Sequence, residues 1–373
     1  MLILSFGIIL WLLSFFDSVF TNRFKKAVIF IVCITFVCLG GFRWNTGTDW
    51  DPYYYGFLSL NSYQDVISKY SFEWGFSMLN FIVRFLGGGY TFFLLIFTFL
   101  KVSLKYHFIV RREFIGYGLL SIFFYYCYFF GDIVTTRQSL AISLTFFSTI
   151  FIARKQLLYF LICVILASTI HKTAVFFIVS YYFYHKDFSR NTLIYTFCIS
   201  LFLGLVLFNY NLTSFLSNLP IINSFSSFQE KIESYSKLGQ VTYGEIDSTT
   251  TIILGYLKKV FVVLPILICY SLFKDNRVMR GMINLIVLGG VMYFVLGSLS
   301  SEFKRINGYF EIYEILVIPY FANNIKTKKL RLVIIQLYSL YGLYRLYTAF
   351  VMYSDLYDPF YTIFDLNNYR FIY

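Results

Sequence analysis

The sequence predicts an all-α, polytopic integral membrane protein, and three observations predict it. Hydrophobic residues make up 58% of the chain and charged residues 13%, against about a quarter charged in a soluble domain, so polar surface is too scarce to enclose the chain in water. Apolar runs recur from end to end, and a helix needs about 20 such residues to cross a bilayer. Basic residues sit in short clusters between the runs, at 22–26, 111–112, 154–155 and 326–331, which is the pattern of the positive-inside bias. Helix is the only open-ended element that satisfies its own backbone in hydrocarbon.

The formal charge of +12 follows from these loop clusters, and no nucleic-acid partner is expected because no basic stripe on a folded face accompanies it. The cysteines lie inside apolar runs without metal-ligand spacing and read as packing residues. The first run, 2–20, lacks a basic leader and a small-residue cleavage site and reads as a retained helix.

In chain order, roughly twelve spans are expected, at 2–20, 27–42, 90–107, 114–131, 136–153, 157–171, 173–185, 191–209, 251–273, 280–298, 307–323 and 331–351. With 21–26 in the cytoplasm, 43–72 falls outside, and the clusters at 105–112, 154–156, 185–190, 274–280 and 325–331 return inside. This alternation closes only if 73–104 crosses once, although Gly87-Gly88-Gly89 divides it into two apolar stretches. We therefore expect an amphipathic helix over about 62–86, carrying Glu73 and Arg84, in the outer interface. The glycines would permit its turn into the membrane. The outer loops are then 43–89 and 210–250, and the aromatic tail 352–373 also falls outside, where it could cover a cavity. Residues 1–373 read as a single transmembrane domain without an internal repeat.

The loop from Arg43 to Tyr55 is the richest in chemistry. Arg43 follows a helix end directly, and Asp49 and Asp51 lie among Trp44, Trp50 and Tyr54. Aromatic rings are ordinary interfacial anchors, and a flat ring also matches the C–H face of a pyranose. An Arg beside carboxylates suits diphosphate recognition with proton removal from a hydroxyl; the plain alternative is a loop held by an Arg–Asp pair. Asp49-Trp50-Asp51 also has the D-x-D form of soluble nucleotide-sugar transferases. Because the loop is placed outside, away from nucleotide sugars, no metal and no cofactor is expected.

Arg137, in the run from Asp132 to Gln138, starts a helix at the outer side, either snorkelling or facing an aqueous cavity. His171 and Lys172 separate two short apolar runs on the same side, while His107 and His185 are cytoplasmic markers. Lys304 and Arg305 follow Glu302 between apolar helices, and on a continuous helix Arg305 and Tyr309 share a face. Glu311 and Glu314 lie deeper in that segment as candidate partners for cations. Arg43, Asp49, Arg137, His171 and Arg305 thus converge on one side of a topology drawn from other residues. Several cations around few carboxylates imply an anionic ligand, and a lipid diphosphate fits.

This ordered set resembles the EpsG/Wzy-type polysaccharide polymerases. The resemblance rests on Arg43 followed by Gly47-Thr48-Asp49, Glu73-Trp74-Gly75-Phe76, Arg137-Gln138-Ser139-Leu140-Ala141, His171-Lys172-Thr173-Ala174, and Arg305 with Tyr309. Thr173 stands where the family more often has Ser, and 210–250 and the tail match no pattern. The resemblance implies a membrane glycosyltransferase with a GT-C-like helical core in the bacterial inner membrane, its active site facing the periplasm or outer side. It would transfer a growing glycan from undecaprenyl diphosphate to a new lipid-linked repeat unit, making O-antigen, capsule or exopolysaccharide. A chain-length regulator and a flippase are candidate partners. Asp49, with His171 second, would be the base, and Arg137 would stabilise the leaving diphosphate. Arg43, Asp51, Tyr54, Glu73, Lys172, Lys304, Arg305 and Tyr309 would bind substrate. A lipid-oligosaccharide flippase or transporter and a membrane O-acyltransferase using His171 are the alternatives. The one-sided charges and the missing repeat weigh against the first, and the lack of an acyl-CoA route weighs against the second.

Overall fold

The computed structural model describes residues 1–68, 72–134, 137–209, 249–297 and 301–365. Among the described residues the regular elements are helices, and one isolated antiparallel bridge joins Arg43 to Thr362. In chain order they run α1 (Leu2–Ser14), α2 (Asn22–Phe42), α3 (Trp50–Ser59), α4 (Tyr63–Ser68), α5 (Trp74–Phe85), α6 (Tyr90–Ile109), α7 (Gly118–Phe129), α8 (Gly131–Val134), α9 (Arg137–Ala153), α10 (Leu157–Ile170) and α11 (Ser180–Tyr184). There follow α12 (Arg190–Asn209), α13 (Thr249–Ile268), α14 (Arg277–Val295), α15 (Ser301–Ile306) and α16 (Gly308–Glu311), then α17 (Glu314–Asn323), α18 (Lys328–Val351) and α19 (Ser354–Tyr357). Two units form, one of Met1–Tyr184 with Ile312–Tyr373 and one of His185–Glu311.

Among the described residues, five helical stretches are long and apolar enough to cross a membrane by length and composition: Asn22–Phe42, Tyr90–Ile109, Arg190–Leu207, Thr250–Ile268 and Arg277–Val295. The expected span at 173–185 is instead a 3-10 helix over Lys172–Val179 followed by α11.

In the first unit α7 is the axis. All of its residues from 118 to 127 are buried, with α1, α2, α17 and α18 packed around it. Glycines allow α2 to lie against α6: a Cβ on Gly40 would meet Thr98 Cγ2 at 2.7 Å, and one on Gly41 would meet Leu95 Cγ at 2.6 Å. Polarity is turned inward on α9, whose Ser143, Thr145, Ser148 and Thr149 are all buried. Their hydroxyls are satisfied locally, Ser143 to the Ser139 carbonyl at 2.9 Å and Ser148 to the Thr145 carbonyl at 2.6 Å, while Thr149 meets the Tyr313 hydroxyl at 2.6 Å. Outward faces are apolar instead, with Leu158, Ile165 and Leu166 of α10 exposed, as expected where the surrounding solvent is lipid.

In the second unit α14 packs against α12, α13, α15 and α16. Its buried ion pair joins Lys259 of α13 to Glu311 at 2.8 Å, so Glu311 does pair with a cation.

Three expectations change. The single amphipathic helix over 62–86 is two helices, α4 and α5, and α5 starts afresh after Glu73, which has an extended backbone. The glycine turn does form: Gly87 has φ +80°, and its N–H reaches the Arg84 carbonyl at 2.9 Å. Second, the helix expected to carry both Arg305 and Tyr309 is interrupted at Asn307, leaving Arg305 exposed and Tyr309 fully buried. Third, Lys105, grouped with the 105–112 cluster, is fully buried inside the first unit. Residues 210–248 of the expected outer loop and 366–373 of the tail lie outside the described residues.

Candidate functional site

The site is assembled from helix ends. α2 stops after Gly40-Gly41-Phe42, and Arg43 leaves it in an extended conformation. The loop then turns through Asn45 at φ +42° and Gly47 at φ +105°. A Cβ on Gly47 would meet the Val134 carbonyl oxygen at 2.7 Å, so glycine is required both for the backbone angle and for the close approach. α3 begins at Trp50 with Pro52 in its first turn, where the missing N–H is not needed.

The tail meets this loop: the Trp44 N–H reaches the Tyr361 carbonyl at 2.9 Å, and the Gly47 N–H reaches that of Leu356 at 3.3 Å. Residues 356–362 thus lie on the loop.

Arg43 is 4% exposed. Its Nη1 donates to the Thr46 carbonyl at 2.7 Å and to the Val134 carbonyl, and its guanidinium lies 5.5 Å from the centre of the Trp50 ring. The residue is therefore engaged with loop carbonyls rather than turned outward. Trp50 in turn packs on Trp44 at 5.2 Å, Tyr54 at 6.0 Å and Tyr90 at 5.0 Å between ring centres. Rings that looked like interfacial anchors form one nest, with Tyr53 and Phe76 on its inner side.

Arg137, the first residue of α9, is the hub. Its Nη1 pairs with the Glu73 carboxylate, its Nε donates to the Tyr53 hydroxyl at 3.2 Å, and its guanidinium stacks 4.4 Å from the centre of the Phe72 ring. Asp49 stands one helical turn before Tyr53, close enough for its charge to act on the Tyr53 hydroxyl. Glu73 stands at the N-cap of α5 without capping it; its Oε1 instead accepts the backbone N–H of Lys172 at 3.3 Å. Gly75 permits this approach, because a Cβ there would meet Thr169 Oγ1 of α10 at 2.3 Å. A polar array therefore runs from Tyr53 through Arg137 and Glu73 to the Lys172 N–H across four segments that are remote in sequence, with Asp49 one helical turn before Tyr53.

His171 borders the array with Nδ1 2.7 Å from the Thr173 hydroxyl, and the Lys172 side chain is exposed. Asp51 sits half-exposed in the first turn of α3, where burial raises its carboxyl pKa above the usual range. Burial first, and the Asp49 charge second, push the Tyr53 hydroxyl up to about 12, so it is a neutral donor and acceptor near neutral pH. Glu73 and Arg137 keep 13% and 21% of their side-chain surface exposed, enough for solvent or ligand to reach them. The arrangement offers a cation flanked by carboxylates, with flat rings beside it.

A family model described as the EpsG family matches residues 26–370. The chain belongs to the EpsG family. No curated protein and no solved structure gives a significant match.

The resemblance read from the sequence is thereby borne out. Membership together with the apolar helices makes this a membrane protein with a general role in polysaccharide polymerisation, a glycosyl transfer. Of the residues singled out in this EpsG-family chain, Arg43, Asp49, Asp51, Tyr54, Glu73, Arg137, His171 and Lys172 all lie in the first unit. Lys304, Arg305 and Tyr309 belong to the second. Sequence reasoning passed over Tyr53 as one tyrosine of three, although it is the one whose hydroxyl accepts from Arg137. It also missed Lys101 and Lys105 as a pair. The available signal was their spacing: two lysines one helical turn apart inside an apolar run share a face and need a partner.

Proposed function

We propose that this chain polymerises undecaprenyl-diphosphate-linked oligosaccharide repeat units by glycosyl transfer at the outer face of the bacterial inner membrane. The product would be an O-antigen, capsular or exopolysaccharide chain. The array centred on Arg137 carries the reading. A guanidinium held by Glu73 and Tyr53 is preorganised, and a fixed cation helps most where charge develops, here on the departing diphosphate. Asp49 is the candidate base for the acceptor hydroxyl, with His171 second, and the Trp44, Trp50 and Tyr54 rings are candidate sugar platforms. Sugar–oxygen cleavage would pass through an oxocarbenium-like state. Arg43, bound to loop carbonyls, holds the loop that presents Asp49. Asp51 and Lys172 border the same surface. Lys304, Arg305 and Tyr309 are further substrate-binding candidates, and the fold would be a GT-C-like core of roughly twelve spans.

The test is polymer synthesis by the purified chain in lipid nanodiscs supplied with a lipid-diphosphate-linked repeat unit. A ladder of longer lipid-linked glycans that collapses with Arg137→Ala is expected. A folded wild-type protein that makes no ladder but moves the lipid between leaflets would replace this reading with a flippase.

A further inference from the structure

The densest buried charge in the first unit lies outside the array just described. It is built on α8, the four-residue turn of helix between α7 and α9. Asp132 there is 3% exposed. Its Oδ2 accepts the Lys105 ammonium from α6 and the Tyr125 hydroxyl from α7 at 2.7 Å, while its Oδ1 accepts the Ser139 hydroxyl from α9. Its backbone carbonyl accepts the Lys101 ammonium, and the Val134 carbonyl, two residues on, accepts Arg43. Side chains from four different elements thus converge on four residues of backbone. Lys101 and Lys105 are both fully buried, and their ammonium groups lie 5.1 Å from the Phe97 ring centre and 5.2 Å from that of Tyr125.

Charge at this depth is expensive, and well-packed apolar side chains can hold helices together as well as a buried ion pair does. What a hydrogen bond to a fixed carboxylate adds to packing is a directional restraint on the rotation of a helix about its own axis. Ser139 follows Arg137 by two residues, about 200° around a helix. One side of the first turn of α9 is therefore tied to Asp132, while the other presents Arg137 to Glu73 and Tyr53.

We propose that Asp132 is a positioning residue: by holding Ser139 it sets the rotation of α9 and so aims Arg137 at Glu73 and Tyr53. Lys105 and Tyr125 hold the carboxylate in place, and Lys101 and Arg43 fix the backbone that bears it. The catalytic consequence rests on the glycosyl transfer proposed above; the geometric one does not.

Ser139→Ala cuts the link to α9 and leaves the Lys105–Asp132 pair intact, so no buried charge is stranded. Ser139→Thr keeps the hydroxyl. Both variants of the full chain are compared with wild type in nanodiscs by thermal midpoint, by hydrogen exchange of α9 amides, and by kcat and KM for glycan extension. In Ser139→Ala we expect faster exchange confined to the first two turns of α9, with the midpoint close to wild type. We also expect kcat to fall about 10- to 100-fold, the effect of displacing a catalytic group by about 1 Å, with KM within about twofold. Ser139→Thr should recover most of kcat. The inference is overturned if exchange at the start of α9 is unchanged. It is also overturned if exchange rises equally through α6, α7 and α9 as the midpoint falls, the mark of a merely structural knot. If wild type makes no polymer while the local exchange change appears, the polymerase reading fails and the positioning stands. If wild type makes polymer and Ser139→Ala matches it in kcat and exchange, the positioning alone fails.

Discussion

Arg137→Lys separates charge from shape at the hub of the array. The substitution keeps the positive charge and a side chain of similar length. In wild type the guanidinium does three things at once: it pairs with Glu73, donates from Nε to Tyr53 at 3.2 Å, and lies over the Phe72 ring, 4.4 Å from its centre. A lysine ammonium is a point charge on a flexible stem, and the pair with Glu73 is the contact it can keep. A lost hydrogen bond to Tyr53 is worth about 0.5–1.5 kcal/mol, and the stacked cation about 0.5–2 kcal/mol at a partly exposed position. Lysine recovers part of the second. The net loss is then about 1–3 kcal/mol, or about 5- to 150-fold in kcat/KM. Initial rates of glycan extension over a range of lipid-linked repeat unit measure it, with the thermal midpoint as a control for folding. Wild-type kcat/KM in Arg137→Lys alongside an inactive Arg137→Ala would refute the reasoning, because charge alone would then suffice and the bond to Tyr53 would be incidental.

Two further outcomes test the same geometry. Tyr53 has its hydroxyl pushed up to about 12, against about 10 in an unfolded chain. A folded-state value above the unfolded one gives a stabilising difference that is complete below about pH 10 and is lost as pH rises through about 12. Tyr53→Phe should therefore lose less stability than wild type across that alkaline window, read as thermal midpoint against pH in nanodiscs; parallel curves would mean that the hydroxyl is not buried as described. Gly47→Ala puts a Cβ 2.7 Å from the Val134 carbonyl oxygen at a residue with φ +105°, and about 1–3 kcal/mol of strain should appear as a lowered midpoint. An unchanged midpoint would show that the loop relaxes freely and that the Arg43 anchor is not tight.

Much of the site was legible because its residues are chemically costly where they stand. Arg43, Arg137 and Glu73 are charges at the edges of apolar helices, and each needs a partner or water. Their mutual arrangement was not legible. Glu73 reads as a charge on an amphipathic helix, yet it stands just before a helix start and its carboxylate turns to Arg137 and to the Lys172 N–H. Tyr53 and Tyr54 are neighbours in one aromatic run, but only folding shows that Tyr53 faces the array while Tyr54 joins the ring nest. Arg305 and Tyr309 were paired by helical spacing, and the interruption at Asn307 removed the continuous helix on which that pairing depended. Lys105 looked like the start of a basic loop because a charge near a helix end usually snorkels outward; here Asp132 draws it inward.

By itself the sequence determined that the chain lives in lipid and is helical, since both follow from composition and from the need to pair every backbone group within its own segment. It also pointed to the family, through an ordered set of short marks that the family match over residues 26–370 then bore out. Tertiary structure alone decided which charges meet. The tail at 356–362 lies on the loop at 43–47 across some three hundred residues of chain, and the hub joins residues 53, 73, 137 and 172. Contacts of that kind depend on how the helices are rotated and stacked. That is set by close approaches such as Gly40 against Thr98 and Gly75 against Thr169, which no local pattern along the chain encodes.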